Sequence, residues 1–315
     1  MRLSEVFAGI TNAGNDGQLS AAPFPGKGVH RVAKTRDGRP VVLFRTPTDT
    51  PETAPPASRM ASIATSFAKT ARLKGLDGRT EESTFAAVEL LGGDSTLYPV
   101  FLDALQAVGD QVPDAITGAK LAPLLDRVFL MFKALGAAPK TTALGAWGEL
   151  LAILESNDAD HYVACWHAHP EDLVDFASSV GWLEVKATTG ELPQHQVTLR
   201  QISPPPGIAG TLVSIQTVAA SGGLSLRELA TRVKTKLSPP MRAKLEETLA
   251  AQLGRDHAVA METAFDERMG KTSLRRIRMQ DVPRVPQPLP AMVTAVQFTT
   301  DVSQSPLVQS PSGLL

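Results

Sequence analysis

Three carboxylates and one lysine stand where hydrophobic packing does not call for them. They are Glu149 in ALGAWGELLAILES, Asp175 in LVDFASSVG, and Glu184 with Lys186 in WLEVKATTG. LVDFAS and WLEVKAT carry the β-branched and apolar residues of strands, and Ser178–Gly181 supplies turn residues, so the pair predicts a hairpin. Successive strand side chains point to opposite faces, which puts Glu184 and Lys186 on one face and Leu183 and Val185 on the other. A tight turn centred between Ser179 and Val180 sets Asp175 across from Glu184, with Cβ atoms about 4.5–5.5 Å apart. Two carboxylates that close repel each other unless a cation lies between them. Mg²⁺ meets that need, because it takes oxygen ligands at about 2.0–2.1 Å from one or two carboxylates, waters and phosphate oxygens. The chemistry such a set supports is metal-dependent phosphodiester hydrolysis. The competing reading is a cross-strand charge ladder on a solvated sheet face.

Glu149 is positioned by a helix. In Ala143–Glu155, Leu144, Trp147, Leu151 and Leu154 recur at helical spacing, and most other positions are Gly, Ala, Leu or Ile. A helix apolar nearly all round packs on several sides. A carboxylate in its middle is costly unless paired or bound to metal.

These residues resemble a known family, the PD-(D/E)XK nucleases of restriction-endonuclease-like fold. The resemblance is to the branch found in bacterial anti-phage gene clusters beside ATPases and helicases. Its G-x-W-G-E-L helix, D-F strand and E-V-K-x-T strand are met by Gly145–Leu150, Asp175–Phe176 and Glu184–Thr188. A following His and Gln are met by His195 and Gln201, and Val174 stands where the family's name has proline. The resemblance implies that Asp175 and Glu184 bind Mg²⁺, or Mn²⁺ in its place, with the Val185 carbonyl as an additional ligand. Lys186 then orients or deprotonates the attacking water, and Glu149 completes the outer coordination. The function implied is Mg²⁺-dependent cleavage of DNA in a phage-defence system, with ATPase or helicase partner proteins of a defence operon. The alternative is a catalytically inactive DNA-binding or scaffold subunit of such a complex, and no residue excludes RNA as substrate.

The bulk numbers set limits. A chain of 315 residues, 43 % hydrophobic and 20 % charged, is ordinary for a soluble protein of two or three compact units. No apolar run approaches the roughly 20 residues that span a bilayer, and MRLSEVFAGITNAG lacks a signal peptide's apolar core, so no membrane association is expected. Cys165 is the single cysteine, which rules out an intrachain disulfide and fits a cytoplasmic location. A net charge of -1 weighs against a free-standing tight DNA binder, since non-specific affinity comes from phosphate neutralisation. A local basic groove, a second copy in a homodimer or a partner is expected to hold the substrate.

The expected fold class is α/β: a restriction-endonuclease-like core, a mixed β-sheet flanked by helices, between a β-rich N-terminal unit and an α+β C-terminal extension. The boundaries read as 1–82, 83–238 (motifs within 144–201) and 239–315. In the first unit, HRVAK and RPVVLFR form strands around an Asp37–Gly38 turn. The Gly-rich stretch Gly14–Gly28 lacks the ending of a nucleotide-binding loop. Thr46–Ser58 is a Pro-rich connector, and the basic stretch 59–80, with Arg59, Lys69, Arg72, Lys74 and Arg79, reads as a solvated loop, with phosphate contact as the alternative. Then come a strand from Ser83, helices over Ser95–Val108 and Ala119–Leu135, and Pro139 before the Glu149 helix. Asp160, His161, Cys165, His167 and His169 invite a zinc reading, but Cys-x-His-x-His matches no common ligand spacing. Tyr162–Trp166 reads instead as the first core strand, with His167 and His169 near the site mouth. Residues 209–220 read as a core strand, Ser225 with Glu228 as a capping box for Leu226–Leu237, and Ser238–Pro239 as the start of another helix. Lys271–Met279 reads as a basic strand which, with the Leu226 helix, is the candidate DNA-backbone contact, the alternative being an exposed edge strand blunted by charge. The tail from Val302 reads as loose.

Overall fold

The structure is a computed structural model describing residues 2–11, 19–75, 80–92, 94–169 and 172–308. Part of the Gly14–Gly28 stretch, Arg79 and the tail beyond 308 lie outside the described residues. The protein is a mixed α/β chain that divides into two compact units, Met1–Ala137 and Ala138–Leu315.

The first unit is built from α1 (Leu3–Ala8), β1 (Leu19–Phe24), β2 (Lys27–Lys34), β3 (Pro40–Arg45), β4 (Ser58–Arg59), β5 (Ile63–Lys74), β6 (Thr80–Leu90), α2 (Tyr98–Gln111) and α3 (Gly118–Leu135). Its sheet runs β1-β2-β3-β6-β5-β4, and a parallel pairing of Leu19 with Leu73 and Ser20 with Lys74 closes five strands into a barrel-like ring. Ala21, Ala33, Val41, Leu43, Ala71, Leu73, Phe85 and Ala87 fill the interior. The β2–β3 turn falls at Asp37–Gly38 as expected, with Gly38 at φ 83°, where a side chain would be strained. β6 continues without a break through position 82/83.

The basic stretch 59–80 is not a solvated loop: most of it is β5, paired along its length with β6. A bulge explains why its pattern hides. Ile63 and Thr65 pair with Leu90 and Val88 on one face, the register shifts between Ser66 and Lys69 with Ala68 at φ 49°, and Ala71 and Leu73 then point into the barrel. One inserted residue moves the apolar set to the other face.

The second unit contains α4 (Ala143–Leu154), α5 (Ala159–Cys165), β7 (Phe176–Ala177), β8 (Gly181–Thr188), β9 (Gln194–Thr198), β10 (Ala209–Gln216), β11 (Ala219–Ser225), α6 (Leu226–Thr235), α7 (Pro239–Leu253), α8 (His257–Glu262), β12 (Ala264–Phe265), α9 (Glu267–Ser273), β13 (Arg275–Arg278) and β14 (Gln297–Asp301). Its central sheet has the order β13-β10-β8-β7, with β8 and β10 parallel and both outer pairs antiparallel. One core joins α4, α6 and α7 to Leu183, Val185, Val213 and Ile215. A second, with Leu212, Ile277, Val197, Ile202 and Val302, covers the opposite sheet face.

Four expectations need correction. Tyr162–Trp166 is not a strand; it belongs to α5, which Asp158 caps by accepting from the His161 N–H at 2.9 Å, and only Trp166 bridges to Phe176. The cap and packing override the β preference of Tyr, Val and Trp. LVDFAS pairs only at Phe176–Ala177. Lys271–Met279 is a strand only from Arg275, because α9, capped by Asp266, takes the preceding residues. The tail is not loose at its start: Val302 is fully buried and its N–H donates to the Pro193 carbonyl at 3.2 Å.

Candidate metal centre

Helix α4 sets the floor of the site. Every residue from Ala146 to Leu154 is buried, so the helix is enclosed as its all-round apolar sequence requires. Gly148 lets it lie close on β8: a Cβ there would meet the Ala187 Cβ at 3.0 Å and Val185 Cγ1 at 3.5 Å. Trp147 anchors the next turn, donating from Nε1 to the Leu224 carbonyl at 3.0 Å. Glu149, 4 % exposed, is therefore carried into the protein rather than to a wet edge. Its Oε2 accepts from Trp166 Nε1 at 2.6 Å and contacts His167 Nε2 at 3.0 Å.

The β7–β8 hairpin brings in the second carboxylate. Phe176 faces Leu183 and Ala177 faces Trp182, the register expected from the sequence. Ser178 holds the turn, its Oγ accepting from the Gly181 N–H at 2.9 Å. β7 ends at Phe176, and the next N–H on that edge, that of Val185, donates to Asp175 Oδ2 at 2.7 Å. Asp175 Oδ1 lies 3.8 Å from His167 Nε2. Glu149, His167 and Asp175 thus offer ligand atoms all within 4.8 Å of one another, the metal-capable cluster found among the described residues. Burial, Glu184 and Glu149 together push the Asp175 carboxyl well above its usual range.

Glu184 and Lys186 form the adjoining group. Glu184 is 1 % exposed, which a solvated charge ladder is not. Its Oε1 pairs with Lys186 Nζ at 2.7 Å and accepts from Gln201 Nε2 at 2.7 Å. Its Oε2 is buried with no hydrogen-bond partner. Burial raises the Glu184 pKa despite the Lys186 ammonium. Burial works against the Lys186 charge, but Glu184 and Asp175 outweigh it, and its pKa is raised. His195 on β9 is buried, with Nε2 2.7 Å from Ser214 Oγ; burial and then Lys186 push its pKa down to about 4, so it is neutral near pH 7.

The sequence-predicted residues therefore fall into two sets that interact electrostatically, Glu149 with Asp175 in the 4.8 Å cluster and Glu184 with Lys186 and Gln201 outside it. His195 borders Lys186 through electrostatics and is held by Ser214. Val185 contributes its N–H to Asp175. The sequence sets His167 near the site mouth, and in the structure its partly exposed ring meets Glu149 and Asp175. Ser214 was missed altogether. No spacing rule marks either, because His167 reaches Glu149 through the turn after α5 and Ser214 reaches His195 across two sheets. The zinc reading gains nothing: His161 contacts Cys165 at 3.8 Å, and His167 turns to the carboxylates instead.

The basic residues expected to touch DNA are largely engaged elsewhere. Arg227 pairs with Glu262, Arg232 with Glu267, Lys234 with Glu246 and Arg278 with Asp281.

Among comparisons with known proteins, a family model described as "Putative PD-(D/E)XK family member, (DUF4420)" matches residues 7–303. No curated protein and no solved structure matches the chain.

Proposed function

Because the chain belongs to the PD-(D/E)XK family whose model spans residues 7–303, we propose that it is a Mg²⁺-dependent endonuclease, with Mn²⁺ as a substitute, that hydrolyses DNA phosphodiester bonds. PD-(D/E)XK proteins are in general nucleases, so nuclease-like chemistry follows from membership. DNA as substrate, Mg²⁺, and a place as the nuclease subunit of a prokaryotic phage-defence system, with ATPase or helicase partners, rest on the resemblance of the helix, D-F and E-V-K-x-T motifs. A restriction-endonuclease-like core is supported by the order of parts: α4, the antiparallel β7–β8 pair, then β10 parallel to β8 and the helix α6 beyond it.

The observation that carries the reading is Glu184 Oε2, a buried carboxylate oxygen without a partner beside an ammonium and two further carboxylates. An orphaned buried carboxylate oxygen is costly, and a cation removes the cost. The residues present therefore fit a divalent ion, held by Asp175 and Glu184 with Glu149 and the Val185 carbonyl. Such an ion supplies Lewis acidity at the phosphate and lowers the pKa of its bound water.

The protein's own groups account for the rest. Hydrolysis adds water oxygen to phosphorus and breaks one P–O ester bond, with the proton passing to the leaving oxygen. Lys186, kept charged by Glu184 and Asp175, orients the water and offsets charge developing on the phosphate. Gln201 and Lys186 hold Glu184 in one orientation through Oε1, and Oε2, with no hydrogen-bond partner, would be the oxygen available to a bound ion. Neutral His195 packs beside Lys186 without adding a proton to the site. With Arg227, Arg232, Lys234 and Arg278 held in ion pairs and a net charge of -1, the chain grips DNA through a second copy or a partner protein.

The test is incubation of the purified protein with plasmid, linear DNA and RNA, with Mg²⁺ or Mn²⁺, beside Lys186→Ala. Metal-dependent DNA cutting that falls by about 10²–10³-fold in the variant is expected, the usual cost of losing one preorganised charge. DNA binding without cutting by either protein, even with its genomic neighbours present, identifies a scaffold. Cutting confined to RNA replaces the substrate.

A further inference from the structure

The cluster of closest potential ligands contains an imidazole as well as carboxylates. His167 Nε2 lies 3.0 Å from Glu149 Oε2 and 3.8 Å from Asp175 Oδ1, so one small space is bordered by a nitrogen and two oxygens. The position is built rather than accidental. The His167 N–H donates to the Asp175 carbonyl at 2.9 Å, fixing the backbone of one ligand to that of the other. Trp166 Nε1 holds Glu149 Oε2 from the neighbouring position. The independent sign of an ion is the buried, unpartnered Oε2 of Glu184, a carboxylate that interacts electrostatically with both Glu149 and Asp175.

We infer that His167 Nε2 is a direct metal ligand, and that with Glu149 and Asp175 it makes the site select a first-row transition ion over Mg²⁺. Mg²⁺ is a hard cation that prefers oxygen and gives up its waters reluctantly. Imidazole binds transition ions well, and affinity for them rises from Mn²⁺ toward Cu²⁺. Replacing one oxygen donor by nitrogen thus costs Mg²⁺ more than its competitors. The inference rests on the metal-dependent reading above and reverses its order of ions, putting a transition ion such as Mn²⁺ ahead of Mg²⁺.

Mn²⁺ is the probe, because it is paramagnetic and its bound nitrogen is visible as ¹⁴N modulation in pulsed electron paramagnetic resonance. The main variant is His167→Asn. The residue sits at φ 42°, a left-handed conformation that Asn tolerates well among side-chain-bearing residues. His167→Gln is the second variant. The full-length wild type is expected to bind Mn²⁺ with ¹⁴N modulation, and to bind Mg²⁺ more weakly by calorimetry. His167→Asn should lose the modulation and about tenfold or more in Mn²⁺ affinity, with a smaller loss for Mg²⁺. Mn²⁺ bound by the wild type without ¹⁴N modulation overturns the role of His167 and leaves the metal reading standing. So does modulation that survives both His167 variants but vanishes in His195→Gln. Failure of the wild type to bind either ion sinks the metal reading and this inference with it. Should both His167 variants fail to fold, the wild-type modulation and the His195→Gln control still decide the question.

Discussion

At the scale of residues, the site is expensive to maintain and the expense is measurable. Asp175 has its pKa raised by burial and by Glu184 and Glu149. A group with a raised folded pKa contributes stability that is present below the unfolded value, near 3.8, and lost as pH rises through the folded value. As pH rises above that unfolded value, the Asp175 carboxyl therefore comes to destabilise the metal-free protein. Asp175→Asn, whose amide oxygen can still accept from the Val185 N–H, is expected to melt higher than wild type in chelator and to lose the stabilisation that added Mn²⁺ gives the wild type. A lower melting point in chelator would show that the carboxyl carries no such cost. His195 behaves oppositely. Its pKa is depressed from 6.5 to about 4, so its contribution is complete above pH 6.5 and lost as pH falls toward 4. The loss is on the order of 3 kcal/mol. Urea unfolding across that window should show a shallower acid decline in His195→Gln; an unchanged slope would assign the decline to other groups.

At the scale of elements, α4 carries the site because it is locked on all sides. Trp147 is fully buried, hydrogen-bonded to Leu224, and packed so tightly that a Cβ on Gly270 would lie 2.6 Å from its ring. Trp147→Ala should cost about 3–5 kcal/mol, read as a fall in the denaturation midpoint. Gly148→Val should cost about 1–3 kcal/mol by overpacking against Ala187 and Val185. It should also weaken Mn²⁺ binding, because the shift moves Glu149; an unaltered affinity would mean that the helix does not set the donor distance. The elements that resisted sequence reading are those in which a local device outvoted composition. The Asp158 cap made a helix of Tyr162–Cys165, and the β5 bulge hid a barrel strand inside a basic stretch.

At the scale of the whole molecule, every candidate ligand lies within Ala138–Leu315. Added Mn²⁺ is therefore expected to raise the thermal transition of that unit and leave the barrel transition of Met1–Ala137 in place, observable by calorimetry. A metal-dependent shift of the barrel transition would overturn that assignment. No helix among the described residues is long and apolar enough to cross a membrane. Near-neutral charge and the ion-paired Arg227, Arg232, Lys234 and Arg278 predict weak DNA binding by the isolated chain, with a dissociation constant no tighter than about 10⁻⁶ M near physiological salt. Fluorescence anisotropy showing nanomolar affinity would point to a basic groove within this chain.

What sequence alone determined about this protein is whatever short-range rules govern. The α4 helix, the turn at Ser178–Gly181, the register that pairs Phe176 with Leu183 and the Ser225–Glu228 cap all follow from residues within a few positions of one another. Tertiary structure alone decided that His167 meets Glu149 and Asp175, that Ser214 holds His195, and that Glu184 is sealed from water with one oxygen unpaired. Those outcomes depend on how a helix, a hairpin and a turn pack in space, and burial and long-range contact leave no periodicity in the chain for a reader to find.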